Sequence, residues 1–147
     1  MIIKTKYFGD IDITEAELID FPEPMLGFED SSQYVIIQFY DDSDSLLCLQ
    51  SATDRDLALV LVNPHYVLEQ YAPALSPEDL AALNANEDTP LAFYNLAVVR
   101  EDWKDSTVNL RCPIAVNPGK MLGKQIIMED LSYSMRHPLD LAAQEGA

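Results

Sequence analysis

The sequence predicts a mainly β protein, a small closed or nearly closed β-barrel of antiparallel or mixed strands with one or two short helices. Short runs rich in aromatic and β-branched residues recur between clusters of turn residues. One of these runs, Leu57 to Val62, is apolar throughout, as expected of a central strand that is covered on both faces. Only Ser76 to Leu80 carries a strong helix start. These observations favour six to nine strands in one domain.

Alternating or continuous apolar runs mark the individual strands. In chain order we expect them at Ile2 to Tyr7, Ile11 to Ile13, Tyr34 to Tyr40, Leu46 to Ser51, Leu57 to Val62, Leu91 to Arg100, Thr107 to Val116 and Lys124 to Met128. The last two are joined by Asn117-Pro118-Gly119, in which proline presets φ and glycine tolerates positive φ. This sequence predicts a chain reversal.

Helical signals are confined to the middle of the chain. Asn63 is a candidate cap for a short helix over Pro64 to Gln70. Ser76 is a second cap, followed by a proline at the first helical position and an acid at the capping-box position. We expect this second helix to end near Asn84 to Asn86, where the apolar periodicity stops.

Two segments lack the periodicity of a strand or a helix. Phe21 to Phe28 contains two prolines, and its apolar side chains Phe21, Met25, Leu26 and Phe28 fit either a plug at the end of the barrel or an exposed binding loop. The single domain spans residues 1–147, and residues 130–147 form a C-terminal strap and tail. Leu131 to Leu139 fits either a strap over an open sheet edge or a segment that contacts a partner.

Composition places the chain among globular proteins rather than disordered or membrane-spanning ones. Of its 147 residues, 48% are hydrophobic and 23% are charged. No apolar run approaches the roughly 20 residues that cross a bilayer, and the N-terminus lacks the apolar core of a signal peptide. We therefore expect a cytoplasmic protein and, by default, a monomer. Cys48 and Cys112 lie in apolar, strand-like contexts and are predicted to be reduced, packed thiols.

Charge is distributed unevenly along the chain. The net charge is −16, and residues 1–99 carry 18 acidic and 3 basic side chains, a net charge of −15. Nucleic acid and anionic membranes are disfavoured as partners, because phosphate contacts need clustered lysine and arginine. The acidity fits either a basic protein partner or plain solubility.

Signs of catalysis or cofactor binding are weak throughout. The two histidines, His65 and His137, have no further ligand at zinc spacing, and no phosphate-binding glycine motif occurs. Asp41, Asp42 and Asp44 alternate like the start of a calcium loop, but the distal glutamate and the flanking helices are missing, which favours a solvated hairpin turn. The sequence therefore predicts neither an enzyme nor a bound cofactor or metal.

Several short motifs occur in one order along the chain. Toward the C-terminus they include the positions Asn109, Pro113, Asn117, Gly123, Lys124, Gln125, Tyr133, Arg136 and Leu139. Toward the N-terminus they include Lys6-Tyr7-Phe8-Gly9, Phe21-Pro22, Leu26-Gly27-Phe28-Glu29 and Leu49-Gln50-Ser51. Together they resemble the flagellar assembly factor FliW family over residues 2–139, nearly the whole chain.

The resemblance implies a mainly β, non-enzymatic cytoplasmic protein. Members of this family bind flagellin before export and also bind CsrA, the RNA-binding translational repressor. Once flagellin has been exported, the freed factor captures CsrA and relieves the repression of flagellin translation. Two alternatives remain at this point: an acidic chaperone or adaptor without a regulatory role, and a small-ligand barrel.

Candidate contact residues were chosen by residue type and position. Trp103, a lone tryptophan in an acidic loop, fits either a binding hot spot or a ring packed under the loop. Apolar residues at a turn, motif residues of the tail and acids expected to steer association complete the set: Met121, Leu122, Tyr133, Met135, Arg136, His137, Asp41, Asp42, Asp44, Glu101 and Asp102.

Overall fold

Seven strands pair edge to edge in a ring, so the central sheet of the computed structural model closes into a barrel. The structure describes residues 1–39 and 45–139. Among these residues the strands are β1 (Ile2–Lys4), β2 (Asp10–Asp12), β3 (Ile19–Asp20), β4 (Gln33–Gln38), β5 (Leu46–Ser51), β6 (Ala58–Val62), β7 (Ala92–Val98), β8 (Thr107–Val108), β9 (Ile114–Asn117), β10 (Leu122–Gln125) and β11 (His137–Pro138). The ring runs β7-β6-β5-β4-β3-β10-β9 and closes through β9 on β7.

Antiparallel pairing dominates the ring, and the contact between β3 and β10 is parallel. The predicted mainly β, mixed barrel is therefore confirmed. The number of strands in the described residues exceeds the predicted six to nine. The additional strands are β1, β2, β8 and β11, which have two or three residues each and lie outside the ring. β1 and β2 form a separate hairpin, whereas β8 and β11 extend the sheet beyond β7.

One apolar cluster fills the barrel. The register aligns Leu47, Leu61 and Leu96 on three adjacent strands, and all three belong to this cluster. Ile114 and Val116 of β9 belong to it as well. Because strand side chains alternate between faces and this cluster draws on strands around the ring, it lies on the inner face.

The segment at Phe21 to Phe28 closes one end of the barrel. Phe21 and Met25 are buried in the inner cluster, and the ring of Phe21 meets that of Tyr34 edge-on with centroids 5.1 Å apart. Phe28 packs against the same cluster. These residues form the plug, but including Leu26 in it was wrong, because that side chain is 79% exposed.

Two further apolar layers cover parts of the outer face. The β1–β2 hairpin places Ile3 near Val35 of β4, in a cluster that also contains Ile13. In the second layer, segments 63–86 and 126–139 lie over β6, β7 and β9 and bury side chains such as Leu83 and Leu139. The second layer brings the C-terminal segment onto the barrel wall.

The helices begin at the predicted caps. Asn63 accepts a hydrogen bond from His65 N at 3.1 Å and starts a single 3-10 turn, Pro64–Tyr66, shorter than the helix expected there. Ser76 forms a capping box with Asp79 at the start of α1 (Pro77–Ala82). In the described part of the chain, no helix has the length and apolarity needed to cross a membrane.

Helix α1 ends slightly earlier than expected, and the reason lies in β9. The Asn117 side-chain amide donates to Leu83 O at 2.7 Å, which satisfies a carbonyl that the helix leaves free. Asn84 follows with φ +52°, a left-handed conformation that stops the helix.

The expected strand from Thr107 to Val116 was wrong as a continuous element. Asn109 Oδ1 accepts hydrogen bonds from Arg111 N and Cys112 N, at 3.1 and 3.0 Å, and folds the chain into a local turn between β8 and β9. Pro113 follows and offers no backbone donor. The last predicted strand is also displaced, because β10 ends at Gln125 and does not extend to Met128.

Smaller corrections concern burial and strand ends. In β6, Leu61 and Val62 are buried, whereas residues 58–60 are half-buried, so full coverage of both faces was wrong for them. β1 stops at Lys4 because Thr5 Oγ1 and N both hydrogen-bond Gly9 O and close a tight turn. β7 likewise ends at Val98, two residues before the predicted end.

Candidate functional site

The C-terminal segment lies along the edge of the sheet extension. β11 pairs with β8, and Leu139 N donates to Ser106 O at 2.9 Å. Earlier in the segment, Ser134 O accepts from Leu110 N at 2.9 Å. The buried Leu139 side chain joins the outer apolar layer. We call residues 130–139 the strap.

Arg111 reinforces the strap at its midpoint. Its Nε donates to Tyr133 O at 3.0 Å, and its Nη2 reaches Leu131 O at 3.4 Å. The guanidinium therefore binds two backbone carbonyls of the strap from the turn between β8 and β9. One of these carbonyls belongs to Tyr133, a residue that sequence reasoning proposed for partner binding.

A buried polar network lies beneath the strap. The Tyr71 hydroxyl donates to Leu110 O, and Asn95 Nδ2 donates to both Tyr71 Oη at 3.3 Å and Asn109 O at 2.7 Å. Burial raises the pKa of Tyr71 to about 12, so the hydroxyl keeps its proton at neutral pH. The Tyr133 ring meets Tyr71 edge-on with centroids 5.0 Å apart. Tyr133, a predicted contact residue, is thus half-buried and serves the packing of the strap.

A groove opens where β7, β8 and the end of the strap meet. Two exposed apolar side chains line it: Val98 is 52% exposed and Met135 is 48% exposed. Arg100 and Arg136 supply positive charge on the same walls. We call this the β7–β11 groove; its lining is Leu96, Val98, Arg100, Asp105, Thr107, Asn109, Met135 and Arg136. Two of the predicted contact residues, Met135 and Arg136, therefore line this groove, and His137 follows them in β11.

The other apolar candidates lie away from that groove. Met121 and Leu122 are half-buried at the turn into β10, where Met121 packs against the inner cluster and Leu122 against the outer one. Met121 has φ +53°. Part of each side chain therefore packs in an apolar cluster. Sequence reasoning did not predict this packing, because it took apolar residues at a turn as a sign of exposure.

The acidic candidates are only partly described. Glu101 and Asp102 are exposed, and Asp102 Oδ1 accepts from Lys104 N at 3.1 Å. Trp103 begins the 3-10 turn Trp103–Asp105, and its side chain is not described. Asp41, Asp42 and Asp44 lie outside the described residues.

A second surface is centred on Ile127, which sequence reasoning missed, although it offered an exposed binding loop at Leu26 as an alternative. The Ile127 side chain is 68% exposed and lines a groove with Leu26 and Pro24. Gln125 and Ile127 also line an adjoining groove that reaches Leu75. We call the two grooves together the Ile127 cleft. A strand prediction extending to Met128 placed Ile127 in regular structure, so its exposure could not be foreseen.

Charged residues that pair with one another line this cleft. Lys124 Nζ lies 2.8 Å from Asp79 Oδ1 and 3.3 Å from Glu23 Oε2. Burial alone would raise the pKa of Asp79, but hydrogen bonds from Lys124 and Ser76 outweigh it and hold that pKa below its ordinary value. The Asp79 contact is also the main cause of the raised pKa of Lys124. Both groups are therefore charged at neutral pH, and the pair fastens α1 to β10.

Reactive groups and metal ligands are not assembled in the described residues. No cluster of three or more histidine, cysteine, aspartate or glutamate side chains positioned to hold a metal ion occurs in ranges 1–39 and 45–139. Cys48 and Cys112 are buried free thiols, as predicted. Burial raises the pKa of Cys48 to about 11 and also raises that of Cys112, so neither is a ready nucleophile at neutral pH.

Comparison with known proteins agrees with this architecture. The family model described as FliW protein matches residues 2–139. The flagellar assembly factor FliW of Natranaerobius thermophilus is 35% identical over 140 residues, which cover 95% of this chain and 92% of the relative. That of Exiguobacterium sp. is 37% identical over 139 residues, which cover 95% of this chain and 94% of the relative.

A solved structure extends the similarity to three dimensions. A crystal structure of the flagellar assembly factor FliW superposes with a TM-score of 0.87 at 32% identity, covering 94% of this chain and 96% of that one. The family model, the full-length relatives and the barrel therefore agree. The chain belongs to the FliW family.

Proposed function

We propose that this protein is a non-enzymatic, cytoplasmic flagellar assembly factor that binds flagellin before export and binds and antagonises CsrA. In this role it relieves the repression of flagellin translation once flagellin has left the cell. Family membership supports the assignment to flagellar assembly. The observation that carries the binding role is the β7–β11 groove, with its exposed Val98 and Met135 side chains.

Apolar helix faces, which unassembled flagellin would present, suit the β7–β11 groove. Val98 and Met135 are each about half exposed and share one groove, so a partner would bury them together. The test is the affinity of purified flagellin for Val98→Ser and for Val99→Ser. Val99 is the matched control, because it is 48% exposed, adjacent in sequence and not part of the groove lining. We expect Val98→Ser to weaken binding about tenfold. Equal affinities of the two variants would contradict the groove assignment.

The acidity of residues 1–99 suits CsrA, a basic partner. Exposed charges act over about 8 Å at physiological ionic strength, so they raise the association rate more than they slow dissociation. Raising salt from 50 to 500 mM should slow CsrA association about tenfold and barely alter flagellin binding. Neutralising Asp41, Asp42 and Asp44 together should reproduce part of that loss at low salt. A salt-insensitive association rate would contradict steering by charge.

Exclusion of one partner by the other is part of this proposal, since a sensor of export must not hold both at once. A competition experiment with flagellin and CsrA on the immobilised protein tests it, and a stable ternary complex would contradict it. The second candidate is an acidic chaperone without a regulatory role, favoured by the same groove. Flagellin binding without any CsrA binding would select that candidate.

A further inference from the structure

Two large apolar side chains are exposed together in the lining of the Ile127 cleft. Leu26 and Ile127 are 79% and 68% exposed, yet they line the same groove together with Pro24. Single exposed apolar residues are common on protein surfaces, but grouped ones mark interaction sites. The exposure of this pair therefore indicates a binding partner that covers both side chains.

The loop that carries Leu26 is held in place. Leu26 N donates to Gln125 Oε1 at 3.2 Å, which ties the loop to β10. Gly27 has φ +90° and donates to Glu29 Oε1 at 3.2 Å. The neighbouring Met25 is buried in the inner cluster. The exposed leucine is thus presented from an anchored backbone, which lowers the entropy that binding must overcome.

Acidic residues surround the apolar centre of the cleft. Glu23 and Glu29 line one of its two grooves, and Glu78, Glu129 and Asp130 line the other. The basic residue of the lining, Lys124, is 14% exposed and already lies against Asp79 and Glu23. The β7–β11 groove differs, because Arg100 and Arg136 line it. Opposite charge thus distinguishes the two apolar surfaces.

We propose that the Ile127 cleft binds a short amphipathic segment of a basic protein. Leu26 and Ile127 pack against the apolar face of the segment, and its flanking lysine or arginine side chains lie near the acids of the cleft. This surface shares no lining residue with the β7–β11 groove. Of the described residues that the sequence marked for contact, its lining contains Tyr133 and, from the predicted alternative of an exposed binding loop, Leu26. The inference rests on the proposed function only in that the protein acts by binding other proteins.

Three synthetic helical peptides of equal length test the cleft. The first has a leucine face flanked by lysines, the second has glutamates in place of the lysines, and the third is the lysine peptide with its leucines scrambled. We expect only the first to bind at 0.15 M salt, measured by fluorescence anisotropy. Ile127→Ser should weaken it about tenfold, the effect of losing one buried large aliphatic contact. Glu29→Gln should weaken it less and reduce its salt dependence.

Ile2→Ser is the matched control, because Ile2 is 67% exposed on the β1–β2 hairpin and lies outside the cleft. Equal binding of the scrambled lysine peptide would show non-specific attraction to an acidic protein and overturn the proposal. No binding of the first peptide, or equal weakening by Ile2→Ser and Ile127→Ser, would also overturn it. If flagellin and CsrA bind normally to Ile127→Ser while the peptide result is negative, the cleft fails and the proposed function stands. If the peptide binds as expected while flagellin and CsrA do not bind, the proposed function fails and the cleft stands.

Discussion

Replacing Gly123 with alanine should destabilise the barrel measurably. A Cβ at this position would lie 2.7 Å from Phe21 Cε1 and Cζ and 3.1 Å from Ile19 Cγ2. Both of those side chains are buried in the inner cluster, and the Phe21 ring is held against Tyr34. The ring therefore has little room to retreat from an added methyl group.

The expected cost follows from two opposing terms. Overpacking a core typically costs about 1–3 kcal/mol. Gly→Ala also restricts the unfolded chain, which stabilises by about 0.4–1 kcal/mol. The net destabilisation should be about 1–2 kcal/mol, which lowers the melting temperature by roughly 2–8 °C for a domain of this size.

Gly119→Ala provides the matched control. Its added Cβ would have Asn117 Oδ1 at 3.6 Å as its nearest neighbour, an ordinary contact, and its φ lies outside the left-handed region. Urea unfolding of both variants should place Gly119→Ala near the parent protein and Gly123→Ala well below it. Phe21→Leu combined with Gly123→Ala should show a favourable coupling, since the smaller side chain relieves the contact. Equal stability of the two alanine variants would refute the packing argument.

Three further predictions concern stability under the strap and at α1. Tyr71→Phe should lower the free energy of unfolding in urea by about 1–3 kcal/mol, because it leaves the buried Leu110 carbonyl without its donor. The control is Tyr133→Phe, which should cost less than about 0.5 kcal/mol, because the Tyr133 hydroxyl only accepts a 3.4 Å bond from a backbone N–H. Equal losses of stability in the two variants would contradict the role of the buried polar network. Lys124→Met should cost about 1.5–3 kcal/mol at pH 7. Since hydrogen bonds from Lys124 and Ser76 hold the pKa of Asp79 below its ordinary value, the stabilisation by this pair is complete above that ordinary value and is lost as the pH falls through the lowered, folded-state pKa. The cost should therefore shrink in acid, and a pH-independent cost would contradict the ion pair. Leu139→Ala should cost about 2–4 kcal/mol, and an unchanged melting temperature would show that the strap end contributes no packing energy.

The barrel strands were predictable where local pattern and tertiary environment agree. β5 was predicted to the residue, Leu46–Ser51, because its side chains are mostly buried and its apolar run lies between polar stretches of the sequence. The split between β8 and β9 was not predicted, because β-branched and apolar residues outweighed the turn-forming Asn109 in a pattern-based argument. The parallel pairing of β3 with β10 joins residues about 100 positions apart. Nothing local encodes such a contact, so closure of the ring was an expectation about the fold class rather than about particular strands.

The contact surfaces were harder to predict than the fold, because the recognisable motifs mostly stabilise the fold. Gly123 leaves room for Phe21, Gln125 holds the backbone of Leu26, Asn109 shapes the turn after β8, and Asn117 caps the end of α1. A motif built from such residues identifies the barrel. Such a motif does not contain Ile127. The exposure of Ile127 follows from the end of β10 at Gln125, because a longer β10 would have placed the same side chain on a strand face. The motifs therefore identify the barrel and only part of its surfaces, because Leu26 and Arg136 lie within motifs and line grooves, whereas Ile127 lies outside the motifs.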